Sequence, residues 1–349
     1  MENYEFLMQK CIELAKKGRG KVSPNPMVGC VVLNKNNDII SEGYHSKYGE
    51  NHAERDALLK IKDGSDKDGT IIVNLEPCSH WGKTPPCVDL IIERGLKKVV
   101  IACVDNNPKV NGKGIKKLKD AGIEVVTGVL EKESRALNEV FFTDIEQKRL
   151  FIALKTATTI DGKISTFTGD SKWITSELAR DYGKELRNYY DAILTSSSTV
   201  LADNPQMLHK LKIILDKDFK TGFDMDIYKT GKILLVTTKS LEEIPQNVKI
   251  ITPIIIDNKI DLADLSKKLY DLNIKSIFVE AGGVLSGEFV KKDLVDKIYQ
   301  FIGPKIVNDN SAKSCFSADN ISKIVEAKKY RIVEMKQIGD DGLIVYKKD

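Results

Sequence analysis

The stretch E-P-C-S-H-W-G-K-T-P-P-C, Glu76 to Cys87, decides how the first half of this chain reads. Two cysteines stand with eight residues between them, each directly behind a proline and with a histidine in the interval. Upstream, N-H-A-E places His52 two residues before Glu54. A lone cysteine is more often a small core residue than a ligand, and Cys11, Cys30, Cys103 and Cys315 are read that way. His52, Cys78 and Cys87 together are the donor set of a catalytic zinc, which keeps three protein ligands and leaves a fourth position for water. The metal brings that water's pKa towards neutrality, and Glu54 is then the base that moves its proton. Positions i and i+2 do not share a helix face, so the pattern requires His52 in the first helical turn, with Asn51 as its N-cap. Pro77-Cys78 and Pro86-Cys87 read as entries to helical turns, whose dipole favours thiolate. His80 is the nearest candidate for a fourth protein ligand, which would make the zinc structural instead.

The 349 residues suffice for two domains, each with its own core. Composition is that of a globular protein, 42% apolar and 30% charged, with net charge +4 and lysines spread along the chain. That spread argues against a dedicated nucleic-acid or membrane surface and leaves room for a local phosphate pocket. No apolar run approaches the roughly 18 residues of a membrane helix. The start, M-E-N-Y-E-F-L-M-Q-K, is acidic and amphipathic and does not read as a signal peptide, so a cytoplasmic address is expected. In a reducing compartment the six cysteines are not expected to pair as disulfides.

Periodicity assigns an α/β class to both halves. In the first, a helix over residues 2–17 precedes strands at Met27–Leu33, Thr70–Leu75, Lys98–Val104 and Glu124–Val129. Helices are expected at His52–Ile61, Val88–Gly95 and Gly114–Ala121, then one long helix from Glu131 to Gln147. The pattern restarts at F-I-A-L-K-T-A, which sets the domains at 1–147 and 148–349. In the second, strands are expected at Phe151–Ala157, Ala192–Thr195, Lys212–Leu215, Ile233–Thr237, Ser276–Val279 and Ile298–Phe301. Helices are expected at Ser176–Tyr189, Asp261–Leu272 and Gly287–Lys292, with a final hairpin, Tyr330–Tyr346, turning at G-D-D-G. No G-x-G-x-x-G follows a strand, so no Rossmann cofactor site is indicated. The nearest equivalent is V-E-A-G-G-V-L-S-G, where small residues after a strand let a backbone approach a pyrophosphate.

His-x-Glu with Pro-Cys and a second cysteine resembles the zinc-deaminase signature, with eight residues rather than two between the cysteines. That longer loop, N-P-M-V-G-C at Asn25–Cys30 and D-N-N-P-K-V-N-G-K-G at Asp105–Gly114 resemble the deaminase half of the bifunctional riboflavin-biosynthesis enzymes. K-T-A-T-T-I-D-G-K-I, S-K-W-I-T, A-I-L-T-S-S-S-T-V-L-A-D-N-P and V-E-A-G-G are similar to their reductase half. The resemblance implies a cytidine-deaminase-like three-layer α/β/α domain followed by a dihydrofolate-reductase-like α/β domain. It implies two reactions: deamination of a 2,5-diamino-6-(5-phosphoribosylamino)pyrimidinone, then NADPH reduction of its ribosyl group to ribityl. Zn2+ and NADPH are the implied cofactors, and assembly into a homo-oligomer through the reductase domain is implied as well.

Carried over by motif, Asn25, His45, His80 and Lys83 bind the first substrate. The amides of Asn107–Gly114 either cradle its phosphate or form a plain turn. Lys155, Ser171, Arg187, Met207, Lys210 and Glu280 face the second substrate. Ala157, Trp173, Thr199, Asp203, Thr237, Gly282, Gly283, Val284, Leu285, Ser286, Gly287 and Glu288 line the cofactor site. After A-D-N-P the family pattern continues with a Leu-Thr-x-Arg-like segment; here it reads Q-M-L-H-K-L-K-I-I-L-D, without the arginine and with a shorter loop. His209 or Lys210 is expected to take over its phosphate contact, as a point charge rather than a fork. The shortened loop also motivates a second reading, a deaminase of another base or nucleotide with a degenerate reductase domain. A non-catalytic zinc- and nucleotide-binding regulator is a third, against which Glu54 speaks, because binding alone needs no base.

Overall fold

A computed structural model describes residues 4–82, 84–106, 111–317 and 321–348. The chain forms two compact units that meet in sequence at Lys148 and Arg149. The first runs α1 (Tyr4–Lys16), β1 (Gly29–Leu33), β2 (Ile39–Tyr44), α2 (Ala53–Leu58), β3 (Thr70–Leu75), α3 (Cys87–Glu93), β4 (Lys98–Cys103), α4 (Lys113–Asp120), β5 (Glu124–Thr127), α5 (Glu131–Leu137) and α6 (Glu139–Phe142). Its sheet has the order β2-β1-β3-β4-β5. β1 lies antiparallel to β2 and β3, and β3, β4 and β5 run parallel. Alternation along each strand fills both faces. Val31, Leu33, Ile72 and Val100 pack with Met8, Cys11 and Ile12 of α1. Cys30, Val32, Ile71, Val73 and Ile101 pack with Ala57 of α2 and Val88 and Ile91 of α3. The unit is therefore a three-layer α/β/α sandwich whose strands read as continuous apolar runs because both faces are covered.

Four local expectations are corrected here. β2 has no counterpart in the sequence reading; only its Gly43 is fully buried, so the strand lacks an apolar signature. β1 starts at Gly29 rather than Met27, because the Met27 backbone bonds to side chains instead of a strand: its N–H to Asn138 Oδ1 at 2.7 Å, its C=O to Asn138 Nδ2 and Asn74 Nδ2. The same contact explains why no single helix spans Glu131 to Gln147: Asn138 leaves helical geometry at φ −104° between α5 and α6, and a π-helical turn follows at Thr143–Gln147. Finally, His52 itself is the N-cap of α2, in place of Asn51.

The second unit runs β6 (Phe151–Thr158), β7 (Lys163–Ser165), α7 (Glu177–Arg187), β8 (Ala192–Ser196), α8 (Ser197–Asp203), β9 (Leu211–Leu215), β10 (Lys232–Val236), β11 (Val248–Ile251), β12 (Ile255–Ile256), β13 (Lys259–Ile260), α9 (Leu262–Asp271), β14 (Ser276–Glu280), α10 (Gly283–Lys291), β15 (Lys297–Ile302), β16 (Lys313–Ser314), β17 (Tyr330–Ile338) and β18 (Asp341–Lys348). Nine strands form one mixed sheet, β11-β10-β9-β8-β14-β6-β15-β18-β17, in which only the contacts made by β18 are antiparallel. The final hairpin turns at Gly339-Asp340, with Gly339 at φ +60°. Helix α10 begins at Gly283, four residues before the expected Gly287. The glycines there serve packing: a Cβ on Gly283 would lie 2.0 Å from Ser314 O, and one on Gly287 would lie 2.4 Å from Ser317 O. The helix therefore rests directly on the backbone of residues 314–317.

Candidate active sites

In the first unit, α2 lies so close to β2 that a Cβ on Gly43 would meet Ala53 O at 2.4 Å. That contact sets His52 at the head of α2. Cys87 opens α3 behind its N-cap Pro86, whereas Cys78 sits in the coil after β3 and not at a helical entry. His52 Nδ1 is 3.5 Å from both sulfurs, and the Cys87 N–H donates to Cys78 Sγ at 3.3 Å. The three donor atoms all lie within 4.8 Å of one another, and no fourth His, Cys, Asp or Glu joins them among the described residues. His80 is thus not a fourth donor. Hydrogen bonds from Cys87 hold the Cys78 thiol down at about 4, while sharing with Cys78, and then burial, push Cys87 well above its usual range. Two sulfurs competing for one proton beside an imidazole are a fitting donor set for zinc, which displaces that proton.

Glu54, in the first turn of α2, is 3% exposed. Burial, with Cys78 adding to it, raises its pKa. Its carboxyl, His52 and Cys78 line a cavity of about 430 Å³ together with Asn25, His45, His80 and Asp105. His45 follows β2 and has both ring nitrogens engaged, Nδ1 with Asn51 O at 2.9 Å and Nε2 with Asn25 Nδ2 at 3.2 Å. Among the described residues, His80 Nδ1 and Thr84 Oγ1 are buried without a hydrogen-bond partner. Lys83 lies outside the described residues.

Glu76, which opens the stretch that carries the cysteines, has a role that the sequence does not reveal. Its buried carboxylate accepts four backbone N–H groups: Asp105 at 3.3 Å and Gly112 at 3.0 Å on Oε2, Gly114 at 3.0 Å and Ile115 at 3.2 Å on Oε1. The Gly112 and Gly114 amides, two of those expected to cradle a phosphate, thus already hold a protein carboxylate; residues 107–110 lie outside the described residues. Only the distance in sequence between Glu76 and its partners hides the contact.

The second unit holds a cavity of about 1340 Å³. Lys155 on β6 and Glu280 on β14 sit opposite each other in register. Arg187, at the end of α7, grips Glu280 bidentately at 2.5 and 3.1 Å. Burial would raise the Glu280 pKa, but the Arg187 charge and hydrogen bonds outweigh it and hold the carboxyl below its usual range. Burial lowers the Lys155 pKa against the pull of Glu280. The wall also includes Ala157, Ser171, Thr199, Asp203 and Met207, then Gly282, Gly283, Val284, Leu285 and Glu288. Trp173 stands on it, 58% exposed, with the Arg180 guanidinium 4.1 Å from its ring centre, so it is not a core residue.

Four expected residues fall outside that wall. Thr237 is buried, bonded to Lys217 O and to the Lys239 N–H. Ser286 donates to Ala281 O, and Gly287 packs on Ser317. Lys210 is exposed and does not line the cavity. His209 accepts the Leu211 N–H at Nδ1 and faces Tyr190 O with Nε2, so neither residue takes over the absent arginine's contact. Further lysines line the cavity besides Lys155, and Lys217, Lys220 and Lys313 among them belong to stretches without a recognisable motif.

A family model described as the cytidine and deoxycytidylate deaminase zinc-binding region matches residues 1–103, and one described as the RibD C-terminal domain matches residues 150–344. With the three-donor cluster in one unit and the large cavity in the other, the chain is a zinc-dependent deaminase joined to a reductase. Riboflavin biosynthesis protein RibD of Actinobacillus pleuropneumoniae is 40% identical, covering 97% of this chain and 94% of its relative. That of Aquifex aeolicus is 38% identical over 98% and 97%. A solved diaminohydroxyphosphoribosylaminopyrimidine deaminase/5-amino-6-(5-phosphoribosylamino)uracil reductase from Thermotoga maritima superposes with a TM-score of 0.88 at 39% identity, covering 99% of each chain. The chain belongs to the RibD family of bifunctional riboflavin-biosynthesis proteins.

Proposed function

We propose that the first unit deaminates 2,5-diamino-6-(5-phosphoribosylamino)pyrimidin-4-one and that the second reduces the ribosyl group of the product to ribityl phosphate with NADPH. The observation that carries this reading is the three-donor cluster His52, Cys78 and Cys87, whose His52 and Cys78 line one cavity together with the buried Glu54. The imidazole and two sulfurs hold zinc, which when bound supplies the Lewis acid that makes water a nucleophile at neutral pH. Glu54 carries a proton on its carboxyl oxygen to the departing exocyclic nitrogen, and ammonia leaves. A raised pKa suits a group that must both take and give a proton near neutrality. Asn25, His80 and Lys83 hold the pyrimidine and its ribose phosphate.

In the second unit, NADPH supplies the hydride. Lys155 Nζ donates to the sugar oxygens, and Arg187 holds Glu280 in place beside it. Trp173 and the start of α10 form the cofactor's bed, and the lysine-rich lining supports a phosphorylated cofactor over its dephosphorylated form. The cytoplasm is the proposed location. Assembly through the second unit is supported by β17, an edge strand exposing Ile332, Val333 and Met335; sedimentation of the purified chain tests it. The function is tested by following ammonia release and NADPH oxidation separately on the diaminopyrimidine ribose phosphate, with wild type and Glu54→Gln. Loss of ammonia release in the variant, with zinc retained and the reductase step intact on deaminated substrate, is the expected result. Ammonia release that survives the substitution would overturn the assignment of Glu54.

A further inference from the structure

Asn51 O is a carbonyl oxygen and can only accept, so His45 Nδ1, 2.9 Å away, carries the ring proton. The other nitrogen, Nε2, then offers a lone pair, and the Asn25 atom set against it at 3.2 Å is the donor Nδ2. His45 is 2% exposed and has no polar atom left for a ligand. Asn25 is only half-buried and lines the deaminase cavity, and its Oδ1 has no hydrogen-bond partner among the described residues. An amide free to turn could show the cavity either a donor or an acceptor. Held by His45, it shows an acceptor.

We propose that His45 is a positioning residue that fixes the Asn25 amide with Oδ1 towards the cavity, so that the site takes the N–H-bearing edge of its pyrimidine and disfavours a carbonyl edge. This rests on the deaminase reading and deepens it. A carbonyl set against Oδ1 leaves two acceptors facing each other without a proton, the costly arrangement for buried polar groups. Discrimination between amino-bearing substrate and oxo product then comes from a side chain whose own polar atoms are both spent within the protein.

The test is a double-mutant cycle on zinc-loaded protein, reading ammonia release, with Asn25→Ala, His45→Leu and the pair. His45→Leu is expected to lower kcat/KM about 10- to 100-fold, mostly through KM, the scale of one misplaced buried hydrogen bond. Asn25→Ala is expected to lose at least as much, and the double variant no more than Asn25→Ala alone. Asn25→Asp, nearly isosteric and still an acceptor towards the cavity, is expected to lose almost as much, because it sets an oxygen against the Nε2 lone pair. Additive losses, an inactive cycle or a wild-type KM for Asn25→Asp would overturn the proposal. Zinc loss in His45→Leu would too, because it would make His45 a support for His52, whose ring centre lies 5.4 Å away. Asn25→Asp decides the matter even if His45→Leu does not fold. Ammonia release by the wild type tests the deaminase reading independently of every variant.

Discussion

Glu76→Gln removes one charge from the centre of the 105–115 segment. The carboxylate accepts four main-chain N–H groups, and a bond to a charged acceptor contributes about 1.5–3 kcal/mol. Glutamine keeps one oxygen, so two bonds survive in weaker, neutral form, while its NH2 faces the other two donors with nothing to accept. Losing two charged bonds costs about 3–4 kcal/mol after allowance for relaxation and non-additivity. Since about 1.4 kcal/mol is a factor of ten, protection of the amides at the start of α4 should fall about 100- to 1000-fold. Hydrogen exchange of a peptide covering residues 111–118 reads this directly, with peptides from the second unit as internal reference. A deaminase KM raised without loss of zinc should accompany it, because Asp105 lines the cavity. A change in protection smaller than tenfold would refute the view that this carboxylate organises the segment.

Chelating the metal should abolish ammonia release and lower the unfolding temperature of the first unit, leaving NADPH oxidation on deaminated substrate unchanged; a parallel loss of both activities would contradict the separation of the sites. Arg187→Met leaves the Glu280 carboxylate, 12% exposed, without its bidentate partner, and should cost about 2–4 kcal/mol in urea unfolding of the second unit. The Glu280 pKa lies below its usual 4.5 in the folded chain. Its stabilising contribution is therefore full above the unfolded value and is lost as pH falls through the lower folded one. Glu280→Gln should flatten that acid limb of the stability profile, and an unchanged limb would assign it to another group. Lys212 is buried with only Gln206 O, Ile227 O and Thr230 Oγ1 around its ammonium among the described residues, and burial brings its pKa down to about 8. Lys212→Met should cost about 1–3 kcal/mol by leaving those oxygens unpaired, measured by thermal unfolding.

Much of this was legible because the informative residues sit in short local patterns. His52 and Glu54 share one helical turn, and Cys78 and Cys87 flank one loop, so spacing alone groups them. Lys155 and Glu280 could be placed because a charge in an apolar strand is costly unless it is paired or functional. What stayed hidden depends on contacts distant in sequence. Asn138 interrupts a helical pattern because its amide mimics a strand partner for Met27, 111 residues earlier. Glu76 looks like any polar residue after a strand until the 105–115 segment returns to it. His209 looks available for phosphate until both its nitrogens are seen to be committed to the backbone. Helix α10 was read four residues late because glycine propensity argues against a helix, and the Ser314–Ser317 backbone that demands those glycines cannot be inferred locally.

The double glycine after β14 is one motif on paper and two different positions in space. A Cβ on Gly283 would collide with Ser314 O, whereas one on Gly282, at φ −68°, would meet nothing within 4 Å among the described residues. Drift at 283 is therefore policed by folding itself and should be purged whatever the cofactor does. Gly282 has no such guardian. If it too proves invariant in a saturation library selected for riboflavin prototrophy, the restraint can only come from a molecule that is bound there.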